Sequence, residues 1–344
     1  MTPVGEGAAT DPAVVRVRDG LTAFLRAELA SAEAVEVNDV ARISSVGNAR
    51  EPWSVTARWR RDGRAHERRA VLLVEAEAGQ LETGLGAEFG VLRGLEGSGV
   101  PAPAALWLDE TGEWIGRPFF ATELVPGTAD SRALRAEAAD PAMKTVALDL
   151  ARAAARLHGV DWAAAGVDCL TPVSPQEAAR AQLAYWEDLF GRQRLEPLPA
   201  LVYAFAWLGR DPPVAERVSI VHGDLRFGNL LHDQGRLTAL LDWEMVHLGD
   251  PIEDLGWVYR ALWSPARSLP FEEFLAAYGE AAGRPVDAEH LRWHRLFSEV
   301  KHSVISLTAA RSFHDGRTHN LRMADRAATV APFMARFLEL LPPC

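Results

Sequence analysis

The hydrophobic rhythm of the chain changes near residue 140, and that change restricts the possible folds more than any other feature. Before it, apolar residues come in short runs with strand character. WSVTARWR (53–60) alternates as a half-buried strand does, RRAVLLVEA (68–76) follows, and RDG (61–63) between them suits a hairpin turn. ARISSVG (41–47), AALWLD (104–109) and RPFFATELV (117–125) are further expected strands. Two helices interrupt the series. One covers 14–30. The other follows a loop within 81–99, where Phe89, Leu92 and Leu95 share a side and GSG supplies the stop. Beyond 140 the spacing is helical: 143–160, 174–190 and 198–209, then roughly 252–263, 270–281, 287–313 and 320–341. Only 218–242 returns to strand patterning. The expected fold class is α+β in two lobes, a sheet-rich 1–125 and a helix-rich 126–344. A length of 344 residues suits two lobes better than one simple core.

Composition excludes several kinds of protein. A net charge of −11 argues against a broad surface for nucleic acid or anionic membrane. Cys169 and Cys344 are the only cysteines, too few for a disulfide framework or a cysteine zinc site. The first residues lack a signal peptide's basic and apolar regions, and the apolar run ALVYAFAWL (200–208) is too short to cross a bilayer. The expectation is a soluble cytoplasmic protein. Lys144 and Lys301 are the only lysines, and neither follows a glycine, so there is no Walker A phosphate loop. GLGAEFG (84–90) misses a dinucleotide fingerprint by one residue and reads as a loop and helix start. No G-x-S-x-G elbow occurs, and Ala70 stands where HER (66–68) would need a second zinc-binding histidine. His314 and His319 read as parts of a loop between two helices.

The chemistry concentrates in VHGDLRFGNLL (221–231). Val221 ends a short strand, and Gly223 permits a tight path beside Asp224. Asn229 follows five residues later, DQGR (233–236) turns the chain, and LTALLD (237–242) returns it to Asp242. Asp224, Asn229 and Asp242 thus gather at one end of a hairpin. Such a cluster of oxygen donors with few carboxylates suits Mg²⁺. Phosphoryl transfer needs this division of labour: one aspartate orients a hydroxyl and takes its proton, while an asparagine and a second aspartate hold the metal.

H-G-D-x-x-x-x-N followed by DWE (242–244) resembles the aminoglycoside phosphotransferase and choline-kinase-like family, whose members share the protein-kinase fold. GDPIEDLGW (249–257) and LHGVDW (157–162) extend the resemblance, which runs from about 40 to 340. It is strongest to the branch that includes the kinase-like domain fused to some acyl-CoA dehydrogenases. The resemblance implies an ATP- or GTP-dependent transfer of the γ-phosphate to the hydroxyl of a small molecule. Asp224 would be the catalytic base, with Asn229 and Asp242 as Mg²⁺ ligands. His222 would support the loop by hydrogen bonding, and Glu244 would stand close behind Asp242. Arg226 would contact phosphate or an acidic substrate, or else pair with a nearby carboxylate. Asp250 and Asp254 would cap the next helix and brace the loop. On the nucleotide side the resemblance points to Gly47 and Asn48 in the phosphate-covering turn. It also points to Glu88 on a helix, and to Glu123 and Val125 in the inter-lobe linker, whose backbone would meet the purine.

One departure divides the expectation. Leu73 or Val74 stands where the family has lysine or arginine, and no lysine precedes Lys144. Arg58, Arg60, Arg68 and Arg69 are the nearby cations, and Glu88, the usual partner of the missing one, would be left alone beside phosphates. Two classes follow: an active small-molecule kinase that has moved its cation, or a nucleotide-binding relative without catalysis. An aminoglycoside phosphotransferase is a further alternative. Residues 256–344 carry nine acidic and eleven basic side chains, which disfavours a polycationic acceptor. A neutral alcohol, a hydroxy acid or a hydroxyacyl thioester fits better.

Overall fold

Asp11 starts the first element: its carboxylate accepts the Ala13 N–H at 2.9 Å, and Pro12 occupies the first turn of α1 (Pro12–Glu28). The computed structural model describes residues 11–43, 50–75, 84–129, 140–260 and 263–342. The chain forms two compact units. Met1–Arg93 and Pro103–Val125 make the first; Gly94–Ala102 and Pro126–Cys344 make the second.

The first unit is built on five antiparallel strands: β1 (Glu33–Arg42), β2 (Arg50–Arg61), β3 (Arg64–Glu75), β4 (Ala105–Asp109) and β5 (Phe119–Glu123). Their order is β1-β2-β3-β5-β4. Arg61 pairs with Arg64 across Asp62 and Gly63, whose φ angles of 52° and 72° make the two-residue turn that suits a twisted hairpin. Leu21, Phe24 and Leu25 of α1 pack on one face with Val35, Val37, Trp53, Leu72 and Phe119. Of the strand expected at 41–47, residues 41 and 42 belong to β1 and 44–47 lie outside the described residues. β1 begins eight residues earlier, because Val35 and Val37, either side of exposed Glu36, supply the buried side. Phe89 of α2 (Leu85–Gly94) meets Phe120 at 6.4 Å.

The second unit is mostly helical: α3 (Pro141–Gly159), α4 (Ala178–Gln193), α5 (Pro199–Leu208), α6 (Ile252–Val258), α7 (Phe271–Ala282), α8 (Ala288–His314), α9 (Leu321–Asp325) and α10 (Val330–Leu340). α8 is buried along most of its length and touches α4, α5, α6 and α10. The helix expected at 320–341 is broken by a 3₁₀ stretch, Arg326–Thr329. Two strand pairs carry the motif region. β6 (Ser219–Val221) lies against β9 (His247–Gly249), and β7 (Leu230–Asp233) against β8 (Arg236–Leu240). Gln234 and Gly235, at φ 47° and 75°, close the second pair. Among the described residues no helix is long and apolar enough to cross a membrane.

Candidate active site

The loop after β6 is held from below by one buried carboxylate. Asp254, on α6, accepts the His222 N–H at 2.8 Å and the Gly223 N–H at 2.9 Å. Its Oδ2 also lies 3.0 Å from His158 Nε2, and His158 Nδ1 lies 2.9 Å from the Tyr278 hydroxyl. Burial alone would raise the Asp254 pKa, but the His158 hydrogen bond and the nearby imidazoles hold it below the ordinary carboxylate value. Gly223 is required here: φ is 79°, and a Cβ would collide with the Met245 carbonyl. His222 is fully buried, and burial pushes its pKa down, so the ring is neutral. Its Nε2 lies 3.1 Å from the Leu241 carbonyl and donates to it, while Nδ1 accepts the Asp224 N–H at 3.3 Å. The Trp243 ring covers it at 4.5 Å. His222 therefore ties the loop to the strand end that carries Asp242.

Asp224 is 7% exposed and surrounded by donors. Oδ1 accepts Trp257 Nε1 at 2.6 Å and Arg226 Nε at 3.0 Å. Oδ2 accepts Asn229 Nδ2 at 2.6 Å and Arg226 Nε at 2.9 Å. A carboxylate offers about four acceptor positions, so the Asp224 side chain is saturated. Of the two partners foreseen for Arg226, the structure contains the carboxylate. Its guanidinium also lies over the Trp263 ring at 4.6 Å.

Asn229 ends a 3₁₀ turn, Phe227–Asn229, and its carbonyl accepts the Leu241 N–H at 2.8 Å. With Leu230 opposite Leu240, this places Asn229 and Asp242 at the same end of the β7–β8 hairpin. Asp242 is exposed, at φ 68°, a conformation uncommon for residues other than glycine. The Nδ2 of Asn229 is committed to Asp224, which leaves Oδ1 as the ligand atom it has to offer. One amide oxygen and one exposed carboxylate fit Mg²⁺, which retains several waters and takes few protein ligands.

Lys301, on α8, escaped the sequence reading. It is 1% exposed; Nζ donates to the Gly223 carbonyl at 2.6 Å and to Glu253 Oε1 at 2.8 Å. The Trp186 and Trp257 rings lie 5.4 and 5.0 Å from it. Glu253 Oε2 is 3.3 Å from His247 Nε2. Burial would raise the Glu253 pKa, yet the charges of Lys301 and His247 hold it well below the usual carboxylate range. Lys301 and Asp254 thus grip the same turn from two sides. The one available signal was a lysine inside an apolar helix of a chain with two lysines.

In the first unit Glu88 is paired with an arginine outside the four considered from sequence. Directly paired residues of antiparallel strands share a sheet face, and Arg50 pairs with Glu75 as Pro52 pairs with Leu73. Arg50 and Leu73 therefore lie on one face, opposite the α1 face that buries Trp53, Leu72 and Val74. Arg50 Nη2 meets Glu88 Oε1 at 2.5 Å, with side chains 10% and 4% exposed. Of the four arginines considered from sequence, Arg58 is bonded to Glu67 at 2.7 Å and Arg60 leans on the Gly63 carbonyl at the hairpin end. Glu88 is not alone; Arg50 is its partner. Glu123 ends β5, exposed, with its N–H on the Ala104 carbonyl at 2.9 Å, and Val125 closes the unit, half-buried. Gly47 and Asn48 lie outside the described residues.

A five-stranded antiparallel sheet whose Arg50 pairs with a helix glutamate, together with a helical unit carrying this polar loop, defines a protein-kinase-like phosphotransferase fold. The chain belongs to the phosphotransferase enzyme family (APH), whose sequence profile matches residues 48–295. It is 28% identical over 218 residues to acyl-CoA dehydrogenase family member 10 of Mus musculus, which covers 61% of this chain and 20% of that relative. The chain thus spans about a fifth of that protein's length. A crystal structure from Ralstonia eutropha assigned to the aminoglycoside phosphotransferases superposes with a TM-score of 0.71 at 22% identity, covering 93% of this chain and 97% of the other. A thermostable mutant of aminoglycoside phosphotransferase APH(4)-Ia, in a ternary complex with AMP-PNP and hygromycin B, gives 0.61 at 18% identity over 94% and 99%.

Proposed function

We propose that this protein transfers the γ-phosphate of ATP or GTP to the hydroxyl of a small molecule, with Mg²⁺. The observation that carries the reading is the saturated Asp224 carboxylate, two residues from the Arg226 guanidinium and at the hairpin end shared by Asn229 and exposed Asp242. Asn229 Oδ1 and Asp242 would hold the ion, which when bound supplies charge compensation for the β- and γ-phosphate oxygens. Arg226 covers both oxygens of Asp224, at 3.0 and 2.9 Å. Its guanidinium moves to the γ-phosphate, which frees an oxygen of Asp224 for the acceptor hydroxyl. The hydroxyl oxygen forms the new bond to phosphorus as the bond to the β–γ bridging oxygen breaks. The proton goes to Asp224, and the nucleoside diphosphate leaves. Trp257 and Asn229 keep the carboxylate oriented throughout, a positioning contribution of the kind phosphoryl transfer depends on.

Arg50 is the phosphate cation in this reading, and Glu88 orients it, as lysine and glutamate do in protein kinases. The AMP-PNP complex of a protein with the same fold supports nucleotide as the donor. The groups near Asp224 favour a neutral or anionic acceptor. Arg260 lies over the Trp257 ring at 5.2 Å, and His302 lies 5.4 Å from Trp263. Glu299, a carboxylate in that cluster, is already bonded to Arg260 at 2.8 Å. Hydroxy acids and hydroxyacyl thioesters come first in an acceptor screen, ahead of aminoglycosides.

The test is calorimetric titration of ATP and GTP, with and without Mg²⁺, followed by the acceptor screen. Mg²⁺-dependent binding and transfer to a hydroxylated acceptor are expected. Absence of binding to both nucleotides would remove the reading.

A further inference from the structure

One polar cluster lies outside the loop and its supports. Asp250 precedes α6, and its Oδ1 accepts the Ile252 N–H at 3.0 Å, as a helix cap does. Its Oδ2 faces α8, where His290 and His294 stand one turn apart with rings stacked at 5.3 Å. His290 Nε2 is 2.5 Å from that oxygen and His294 Nε2 is 3.2 Å from it. One ligand atom from each residue lies within 4.8 Å of the others, and among the described residues this is the group of histidines and carboxylates with such an arrangement. Asp250 and His294 are 2% and 1% exposed, and His290 is 13% exposed.

The hydrogen bonding of the cluster is incomplete. Asp250 Oδ2 takes one imidazole proton, from His290. His294 stays close but out of line, and neither of its ring nitrogens has a hydrogen-bond partner. A buried ring without an aligned hydrogen bond is costly in a protein interior. Its distance to Asp250 Oδ2 matches a different arrangement: two ligands at ordinary zinc distances in a tetrahedral site are about 3.3 Å apart. A cavity of about 20 Å³ adjoins the cluster, bounded by Asp250, Tyr278, Asp287 and His290. One water needs roughly 10–15 Å³ of such space.

We propose that Asp250, His290 and His294 bind a first-row divalent metal of the zinc type, with a water from the adjoining cavity as fourth ligand. Two imidazoles and one carboxylate favour Zn²⁺ over Mg²⁺, which prefers oxygen donors alone. On binding, His290 gives up its hydrogen bond to Asp250, its proton moves to Nδ1, and Nε2 turns its lone pair to the ion. Asp250 enters as the carboxylate. The ion clamps α8 to the start of α6. That helix carries Asp254 and Trp257, the residues that hold the catalytic loop and Asp224. The site is structural and separate from the Mg²⁺ site proposed at Asn229 and Asp242, so either can fail without the other.

The full chain, stripped with EDTA, is titrated with ZnCl₂ by calorimetry and with CoCl₂ by visible absorption. One equivalent of each is expected, with the ligand-field bands of a low-coordinate Co²⁺ site and a melting temperature that rises with zinc concentration. His294→Ala and His290→Gln should each weaken zinc binding by more than about a hundredfold, beyond what loss of a supporting hydrogen bond does. The partly exposed His290 provides a substitution that leaves the core intact should His294→Ala not fold. Asp242→Ala should leave the Co²⁺ spectrum unchanged. Absence of zinc binding by the native chain overturns the proposal. So does a Co²⁺ signal that survives His290→Gln and disappears in Asp242→Ala.

Discussion

The two units hold their key charged side chains by different means. In the second unit, short motif segments place the proposed base and its anchors: Asp224 is fixed by Arg226 and Asn229 within five residues and by Trp257 in the next motif. In the first unit, the pair Arg50–Glu88 joins residues 38 apart, and its cation stands on β2 rather than β3. The difference shows what local spacing controls. A loop that must present several polar atoms within hydrogen-bond reach leaves little freedom in sequence. A single cation on a sheet face can come from either of two neighbouring strands, because directly opposed residues present their side chains to the same side.

The largest effect that tests this contrast belongs to the second unit. Asp224→Ala should lower kcat by about 10²–10⁴-fold, the range of a positioned general base. Nucleotide affinity by calorimetry should stay close to the native value. Full turnover by the variant would remove Asp224 from the chemistry and leave its saturated hydrogen bonding as loop architecture.

Next comes the buried lysine that steadies the loop. Lys301→Met leaves Glu253 without its nearest cation and the Gly223 carbonyl without its donor. Removing one member of a buried ion pair costs about 3–5 kcal/mol, measurable by urea denaturation. Lys301→Met with Glu253→Gln should recover much of that loss, because the uncompensated charge is gone. A double variant as unstable as the single one would mean that the bond to Gly223 dominates.

The first unit can be tested by moving its cation. Arg50→Ala should lower kcat/KM by about 10²–10³-fold, as loss of one preorganised charge on a transferring group does, and should weaken nucleotide binding. Adding Leu73→Lys places a cation on the same sheet face one strand away. Partial recovery of nucleotide affinity would show that the face, rather than the strand, matters. No effect of Arg50→Ala would confine Arg50 to supporting Glu88.

What was legible in the sequence follows the same division. The α+β class, the hairpin turn at Asp62–Gly63 and the gathering of Asn229 and Asp242 rest on period and spacing, which are local. The loop's deeper supports are not local. His158, Tyr278 and Lys301 lie between about 55 and 80 residues from Gly223 in sequence, and His158 and Tyr278 join across 120. Nothing in their immediate neighbours marks them. β1 was placed too late because Val35 and Val37 are separated by acidic residues that mask a short alternation. Arg50 is not marked in sequence because the resemblance places the cation at Leu73 or Val74, on the neighbouring strand. The histidine pair at 290 and 294 has helical i, i+4 spacing in plain view, but its carboxylate lies 40 residues upstream.

The smallest expected effect concerns the residue that links the loop to Asp242. His222 is buried and neutral in the fold, with a pKa held below its ordinary value of 6.5 by burial. The unfolded chain takes up a proton near that ordinary value, and the folded chain does so only at lower pH. Below about pH 6.5 the unfolded state therefore binds more protons, and stability falls as pH falls. One such group costs at most about 1.4 kcal/mol one pH unit below its unfolded pKa. His222→Gln keeps a donor for the Leu241 carbonyl and has no titration in this range. The variant should be less stable than the native protein at pH 7 by about 1 kcal/mol, for the lost acceptor at Nδ1. That gap should narrow between pH 6.5 and 5.5, because the native protein alone loses the share of stability tied to His222. A gap that stays constant over the interval would mean that His222 carries its proton in the fold, and that the Asp224 N–H is held by something other than Nδ1.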